Sequence, residues 1–208
     1  ILVMLHELGH CFACRWVGGS ADRIVMLPIG GLALIRPPHH WKAHLISTIG
    51  GPGVNAVILP FTVLLLMLTG LSDHIIFNPF APIGVVSDPA FGASSTIAAW
   101  GKIALWWVHY INLLILLFNI LIPAYPMDGG RILQAALWSK LGYHRATEIT
   151  VIVGLFAAMV MVVLGLAANE AMLAVIGGVA IWACWTERRR IRGEIELGAD
   201  VDFAMGSA

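Results

Sequence analysis

Long apolar stretches constrain this chain more than any other feature of its sequence. Three of them exceed the length of about 20 residues that a helix needs to cross a bilayer, and a fourth comes close to it. The four stretches cover residues 43–69, 96–122, 146–168 and 171–186. Of all residues, 59% are apolar and only 12% are charged, whereas a typical soluble domain carries about 25% charged residues. The sequence therefore predicts an integral membrane protein, which we favour over a soluble helical protein.

The remaining segments predict two more helices and a β-hairpin. Apolar residues 1–17 are shorter than a full span and begin without a polar flank, so we expect the first helix to continue before Ile1. Two β-prone runs flank the turn at residues 28–31 and predict a hairpin, and residues 129–142 predict a short helix. The predicted fold is an all-α polytopic membrane protein with about five transmembrane spans, a short helix and a short membrane-associated β-hairpin.

Basic residues indicate how the spans are oriented. Lys and Arg occur around the hairpin, around the short helix and after the last span, whereas the connections 70–95 and 169–170 contain neither. Because short cytoplasmic loops are enriched in Lys and Arg, we expect a multi-pass protein with its active site and its C-terminus on the cytoplasmic side. We assign residues 1–190 to one intramembrane domain and residues 191–208 to an acidic cytoplasmic tail.

The charge balance and the cysteine count exclude two other classes of protein. Twelve basic and twelve acidic residues leave no net charge, and a nucleic-acid partner would require a basic patch. Three cysteines are too few for a disulfide scaffold. The expected surroundings are a lipid bilayer, without a nucleic-acid partner.

The apolar first helix contains three ionisable residues within the segment His6-Glu7-Leu8-Gly9-His10. Positions i and i+4 share one face of a helix, so both imidazoles can bind one Zn²⁺ while Glu7 reaches a water that the metal acidifies. Ionisable residues at membrane depth cost about 2.5–3.5 kcal/mol each on insertion scales and indicate function by default. The alternative is a polar helix face that lines a water cavity without a metal.

A catalytic zinc usually has three protein ligands, and Asp128 is the candidate for the third. Pro123 and Pro126 break the preceding helix, and two glycines follow the aspartate. Irregular backbone in a hydrophobic region is tolerated only where protein buries it or water reaches it. Alternatively, Asp128 is the N-cap of the short helix, and it could also serve both roles.

In order and spacing, these motifs resemble those of the site-2 proteases, a family of intramembrane zinc metalloproteases. Residues 6–10 match the first metal motif of that family, and residues 119–130 are similar to the second, although Pro123 follows Asn119 by four residues instead of three. Gly51-Pro52-Gly53-Val54-Asn55 resembles the Gly-x-x-x-Asn element, and the predicted hairpin resembles the membrane-embedded β-element near the site. The resemblance covers roughly residues 1–190.

The resemblance implies an intramembrane zinc metalloendopeptidase that hydrolyses peptide bonds in or near transmembrane segments of membrane-protein substrates. One catalytic Zn²⁺ would be bound by His6, His10 and Asp128. Glu7 would act as the general base, and Asn55 would donate a hydrogen bond to the oxyanion. Gly30, Gly31 and Asn119 would bind the substrate, which the hairpin edge could receive as an added strand.

Two other functions suit a membrane protein with a metal motif. A metal transporter should offer several sites along a path, whereas the sequence contains one complete ligand set. A catalytically silent regulator would usually have lost Glu7, a motif histidine or Asp128. A membrane-tethered zincin is disfavoured because no polar domain surrounds residues 6–10. A second metal site at His39, His40 and His44 is conceivable, but we prefer to interpret them as solvated residues at the membrane border.

Overall fold

The computed structural model describes residues 1–27, 30–76, 82–86, 88–92 and 95–206. Pro28 and Ile29, at the predicted hairpin turn, lie outside the described residues. The elements, in chain order, are α1 (Leu2–Trp16), β1 (Ser20–Leu27), β2 (Gly30–Arg36), α2 (Trp41–Leu68), α3 (Pro82–Val86), α4 (Thr96–Leu121), α5 (Asp128–Leu141), α6 (Tyr143–Ala167) and α7 (Ala171–Gly206). Single 3₁₀ turns cover Ser72–His74 and Pro89–Phe91.

The long apolar stretches form helices, as predicted. The helices α2, α4 and α6 are long and apolar enough to cross a membrane, by length and composition. Many of their large apolar side chains are exposed, among them Phe61, Leu121 and Phe156. Because soluble proteins rarely expose large contiguous apolar patches, these faces suit contact with lipid. The prediction of about five spans remains a prediction.

The last helix is longer than the sequence predicted. The apolar stretch 171–186 lies within α7, but the helix continues to Gly206, through the segment that we expected to be a tail. The residues that follow the apolar stretch are rich in Glu and Arg, which have high helix propensity. Hydropathy marks where an apolar span ends, and it does not mark where the helix itself ends.

The chain forms two compact units. The first contains Ile1–Pro38 and Ile46–Asn119, and the second contains His39–Leu45 and Ile120–Ala208.

In the first unit, α1 packs against the hairpin and against α2. Gly9 and Gly50 lie where the two helices meet, because a Cβ on either glycine would overlap the backbone of the other. Two interior prolines, Pro52 and Pro60, interrupt the hydrogen-bond ladder of α2. The core of this unit contains Leu66, Leu71, Phe91, Trp106 and Tyr110.

The predicted hairpin is confirmed as a two-stranded antiparallel sheet. Ser20 lies opposite Arg36 and Leu27 lies opposite Gly30, with one irregularity between Ala21 and Arg23. The guanidinium of Arg15 donates to the carbonyl of Ala21 at 2.7 Å. This hydrogen bond helps to hold the hairpin against the end of α1.

In the second unit, α6 packs along α7, and Gln134 of α5 donates to Thr147 of α6 at 2.7 Å. The predicted short helix is confirmed as α5. Two glycines follow its first residue in a tight approach to the preceding segment: a Cβ at Gly130 would lie 2.9 Å from the carbonyl carbon of Ala124. The core of this unit consists of Ala124, Tyr125, Val151, Ala158, Ala180 and Cys184.

Candidate active site

His6 and His10 lie one helical turn apart on the buried face of α1. They are 4% and 7% exposed, and their Nε2 atoms are 3.1 Å apart. The rings meet edge to face, with centroids 4.8 Å apart. The i, i+4 spacing thus brings the same nitrogen of both imidazoles to one point.

Two backbone groups lie beside Nδ1 of His10. The carbonyl oxygen of Ser47 is 2.9 Å away and accepts a hydrogen bond in the tautomer that carries its proton on Nδ1. The N–H of Gly51 donates to the same nitrogen at 3.3 Å in the other tautomer. Because neutral imidazole has one N–H, the shorter contact, with Ser47, corresponds to the tautomer whose Nε2 presents a lone pair towards His6.

Glu7 is held between α1 and the hairpin. The side chain is 8% exposed, and its Oε2 accepts a hydrogen bond from the N–H of Ala33 in β2 at 2.8 Å. Gly31 leaves the room for this carboxylate, because a Cβ at that position would lie 2.5 Å from Cγ of Glu7. The predicted base and one predicted substrate-binding glycine are therefore neighbours.

Asn55 is completely buried and contacts a predicted metal ligand. Its Oδ1 lies 2.6 Å from Nδ1 of His6, and its Nδ2 donates to Oδ1 of Asn112 at 2.8 Å. The sequence predicted Asn55 as a donor to an oxyanion, and that role remains a prediction. Sequence reasoning gave no role to Asn112; the available signal was a buried amide inside an apolar helix.

The other two residues predicted to bind substrate, Gly30 and Asn119, lie in a strand and a helix. Gly30 begins β2 opposite Leu27. The side-chain amide of Asn119 donates to the carbonyl of Ile115 in its own helix at 3.0 Å. Their roles in substrate binding remain predictions.

Asp128 begins α5 and is 7% exposed. Met127 occupies the N-cap position and its side chain makes no capping hydrogen bond, so the alternative in which Asp128 is the N-cap is wrong. An acidic residue in the first turn interacts favourably with the helix dipole, which stabilises α5.

Tyr125 precedes this helix and is buried. Its hydroxyl has no hydrogen-bond partner among the described residues. Burial raises the pKa of the Tyr125 phenol far above its usual range, and the nearby carboxylate of Glu187 raises it further. The phenol is therefore neutral at any physiological pH.

The histidines near the start of α2 belong to an aromatic cluster. The rings of His39 and His44 lie 4.9 and 5.1 Å from that of Trp138. The two imidazole centroids are 6.4 Å apart. These histidines thus pack around an indole ring, an arrangement that offers less support for the alternative of a second metal site.

Comparison with known proteins shows which family this chain belongs to. Residues 1–161 match Peptidase family M50. The chain belongs to this family. The resemblance to site-2 proteases seen in the sequence is confirmed.

The relatives include named protein sequences and a solved structure. A zinc metalloprotease of Methanocaldococcus jannaschii is 31% identical over 195 residues, which are 93% of this chain and 49% of that protein. Rip3 of Mycobacterium tuberculosis is 31% identical over 168 residues, 79% of this chain and 36% of that protein. The structure of a site-2 protease from Methanocaldococcus jannaschii has a TM-score of 0.58 and 28% identity, covering 89% of this chain and 73% of that one. The chain therefore spans about half the length of the archaeal sequence relative.

Proposed function

We propose that this protein is an intramembrane zinc metalloendopeptidase that hydrolyses peptide bonds in or near transmembrane segments of membrane proteins. The observation that carries the proposal is the buried face of α1, where two imidazole Nε2 atoms lie 3.1 Å apart and the carboxylate of Glu7 is held by Ala33. Membership of Peptidase family M50 and a relative named as a zinc metalloprotease support it.

The donor set fits a zinc ion. Zn–N bonds are about 2.0–2.1 Å long, so two nitrogens of one tetrahedral zinc lie about 3.3 Å apart, close to the 3.1 Å between the Nε2 atoms of His6 and His10. A histidine binds a metal through a nitrogen that carries a lone pair, and the 2.9 Å contact of His10 Nδ1 with the Ser47 carbonyl corresponds to that form at Nε2. We propose that Asp128 supplies the third ligand, which its burial and its acidic side chain support.

In the proposed chemistry, Glu7 is the group that transfers the proton. Zinc, when bound, would supply a Lewis acid that polarises the scissile carbonyl and acidifies the attacking water. Glu7 accepts a proton from that water and returns it to the leaving amine. Because the N–H of Ala33 holds Oε2, the carboxylate keeps its orientation while the other oxygen exchanges the proton. Asn55 remains the proposed donor to the oxyanion, through the second hydrogen of Nδ2, since the first is donated to Asn112.

The hairpin is the proposed place of substrate docking. A helix hides its peptide bonds in its own hydrogen-bond ladder, so a transmembrane substrate must unwind before cleavage. In the hairpin, Ala33 of β2 lies opposite Ile24 of β1. The N–H of Ala33 nevertheless donates to Glu7, which indicates that the edge of β2 away from β1 faces the base. A substrate strand added along the edge would bring a peptide bond close to Glu7, with Gly30, Gly31 and Asn119 as proposed contacts.

We also propose a multi-pass arrangement of about five spans in a lipid bilayer, with the active site and the C-terminus towards the cytoplasm. Three helices of membrane-spanning length and the distribution of Lys and Arg support this arrangement.

The test compares the wild-type chain with Glu7→Gln and Asp128→Ala in detergent micelles. We expect about one zinc per chain in the wild type and in Glu7→Gln, measured by elemental analysis. Glu7→Gln should cleave a model transmembrane substrate at least about 10²-fold more slowly. Asp128→Ala should lose zinc to a chelator that the wild type resists.

Each outcome decides one part of the proposal. Cleavage by Glu7→Gln at the wild-type rate would show that the assigned base is wrong. Zinc retention by Asp128→Ala equal to that of the wild type would remove this residue from the ligand set. A wild-type chain that binds zinc and cleaves nothing would instead favour a silent regulator or a transporter.

A further inference from the structure

We propose that Asn112 is a positioning residue that acts through Asn55 to fix the ring of His6, so that Nε2 of His6 is the nitrogen presented to a metal. The inference rests on the proposed zinc protease for its functional meaning. The hydrogen bonds on which it depends all lie within the first unit of the chain.

The three side chains form a continuous chain of hydrogen bonds across three helices. His6 lies on α1, Asn55 on α2 and Asn112 on α4, and both amides are completely buried. The three contacts measure 2.6 Å between His6 and the Asn55 side chain, 2.8 Å between the two amides, and 3.0 Å between Asn112 and the backbone carbonyl of Asn55. Buried polar groups that are fully paired hold a single arrangement.

The backbone carbonyl of Asn55 sets the direction of every bond in this chain. A carbonyl only accepts, so the Asn112 atom that contacts it at 3.0 Å must be the nitrogen. The oxygen of Asn112 then faces the Asn55 side chain, which must donate to it through Nδ2. Oδ1 of Asn55 is therefore the atom that faces His6, and Nδ1 of His6 must carry the proton.

The proton on Nδ1 determines the state of the other ring nitrogen of His6, Nε2. With its proton on Nδ1, neutral His6 has a lone pair on Nε2, the nitrogen that faces Nε2 of His10. Histidines that bind metals usually donate their other N–H to a partner in this way. The two amides thus hold His6 in the metal-binding tautomer.

Without Asn112, the direction of the Asn55 amide is no longer fixed. A rotation of that amide by half a turn would present its NH₂ group to Nδ1 of His6. The ring would then accept at Nδ1 and carry its proton on Nε2, which is the wrong tautomer for a metal ligand. The effect is a change of tautomer, which a purely structural contact between helices would not produce.

The experiment uses the whole chain in detergent micelles with three substitutions on α4. Asn112→Leu removes both hydrogen bonds. Asn112→Asp retains an oxygen that accepts from Asn55 in either protonation state and serves as the rescue variant. His109→Leu is the matched control, because His109 is also buried on α4 and contacts Thr62 of α2 at 3.0 Å without belonging to the chain that ends at His6.

Two readouts are measured at one fixed pH. The ¹⁵N chemical shifts of the metal-free protein report the tautomer of His6, assigned with a His6→Gln variant. Zinc affinity follows from competition with a chromophoric chelator. For Asn112→Leu we expect signals of both tautomers and an affinity about 10-fold lower, at the low end of the 10–100-fold range for partners of metal ligands. Asn112→Asp should keep the wild-type tautomer, and His109→Leu should keep the affinity within about twofold while lowering the melting temperature.

The outcomes separate this inference from the proposed function. A single unchanged His6 tautomer in Asn112→Leu, or equal losses of zinc affinity in Asn112→Leu and His109→Leu, would overturn it even if the protein proves to be a zinc protease. If the wild-type chain neither binds zinc nor cleaves, the proposed function fails, and the tautomer measured without metal still decides the role of Asn112.

Discussion

The contact between Gly31 and Glu7 gives the sharpest test of how the hairpin serves the proposed base. In Gly31→Ala, the new Cβ would lie 2.5 Å from Cγ and 2.9 Å from Oε1 of Glu7. Carbon atoms pack at about 3.5–4.0 Å, so the side chain has to move by about 1 Å. Glu7 is the flexible partner in this contact, and the substitution should therefore displace the carboxylate while leaving the strand in place.

The expected loss follows from this displacement. A misplacement of about 1 Å in a catalytic arrangement can lower a rate by about 10²-fold, and the whole contribution of a general base is about 10²–10⁴-fold. We therefore expect Gly31→Ala to cleave a model transmembrane substrate about 10²-fold more slowly in proteoliposomes. Zinc content and melting temperature should be unchanged, because neither imidazole is touched.

Gly101→Ala is the control, because a Cβ at that position of α4 meets no heavy atom within 4 Å. It should cleave at the wild-type rate. Cleavage by Gly31→Ala within about threefold of the wild type would refute the reasoning, as would a loss of zinc, which would mean that the substitution acts on the fold and not on Glu7.

Two further substitutions test the surroundings of His10 and of Tyr125. In Gly51→Ala the new Cβ would overlap Nε2 of His10 and would lie 2.5 Å from Cε1 of the same ring, so it should displace the ring. We expect zinc affinity to fall about 10–100-fold, measured by chelator competition. Gly53→Ala, with open space at its Cβ, should bind zinc as the wild type does. Tyr125→Phe removes a buried hydroxyl that has no partner among the described residues. The free energy of unfolding, measured in denaturant titrations, should therefore rise by about 1 kcal/mol. A clear loss of stability would show that the hydroxyl is in fact paired.

The parts of the site that depend on local geometry could be predicted from the sequence. The i, i+4 spacing alone brings His6 and His10 together, because a helix repeats every 3.6 residues. The break before Asp128 follows from two nearby prolines. The hydrogen bond from Ala33 to Glu7 could not be predicted, because it depends on the register of the hairpin and on how that hairpin packs against α1.

The partner of Asn55 shows where sequence reasoning stops. An amide in an apolar helix must find a hydrogen-bond partner when it is buried, so the sequence implies that a partner exists without naming it. Helix α4 offers two amides, and the structure separates them: Asn119 bonds to its own helix, whereas Asn112 bonds to Asn55 from 57 residues away. Helical periodicity thus specifies which nitrogens can meet at a metal. Contacts between helices that are distant in the sequence specify which nitrogen of a ring carries the proton. A residue outside every recognised motif can therefore control a ligand within one.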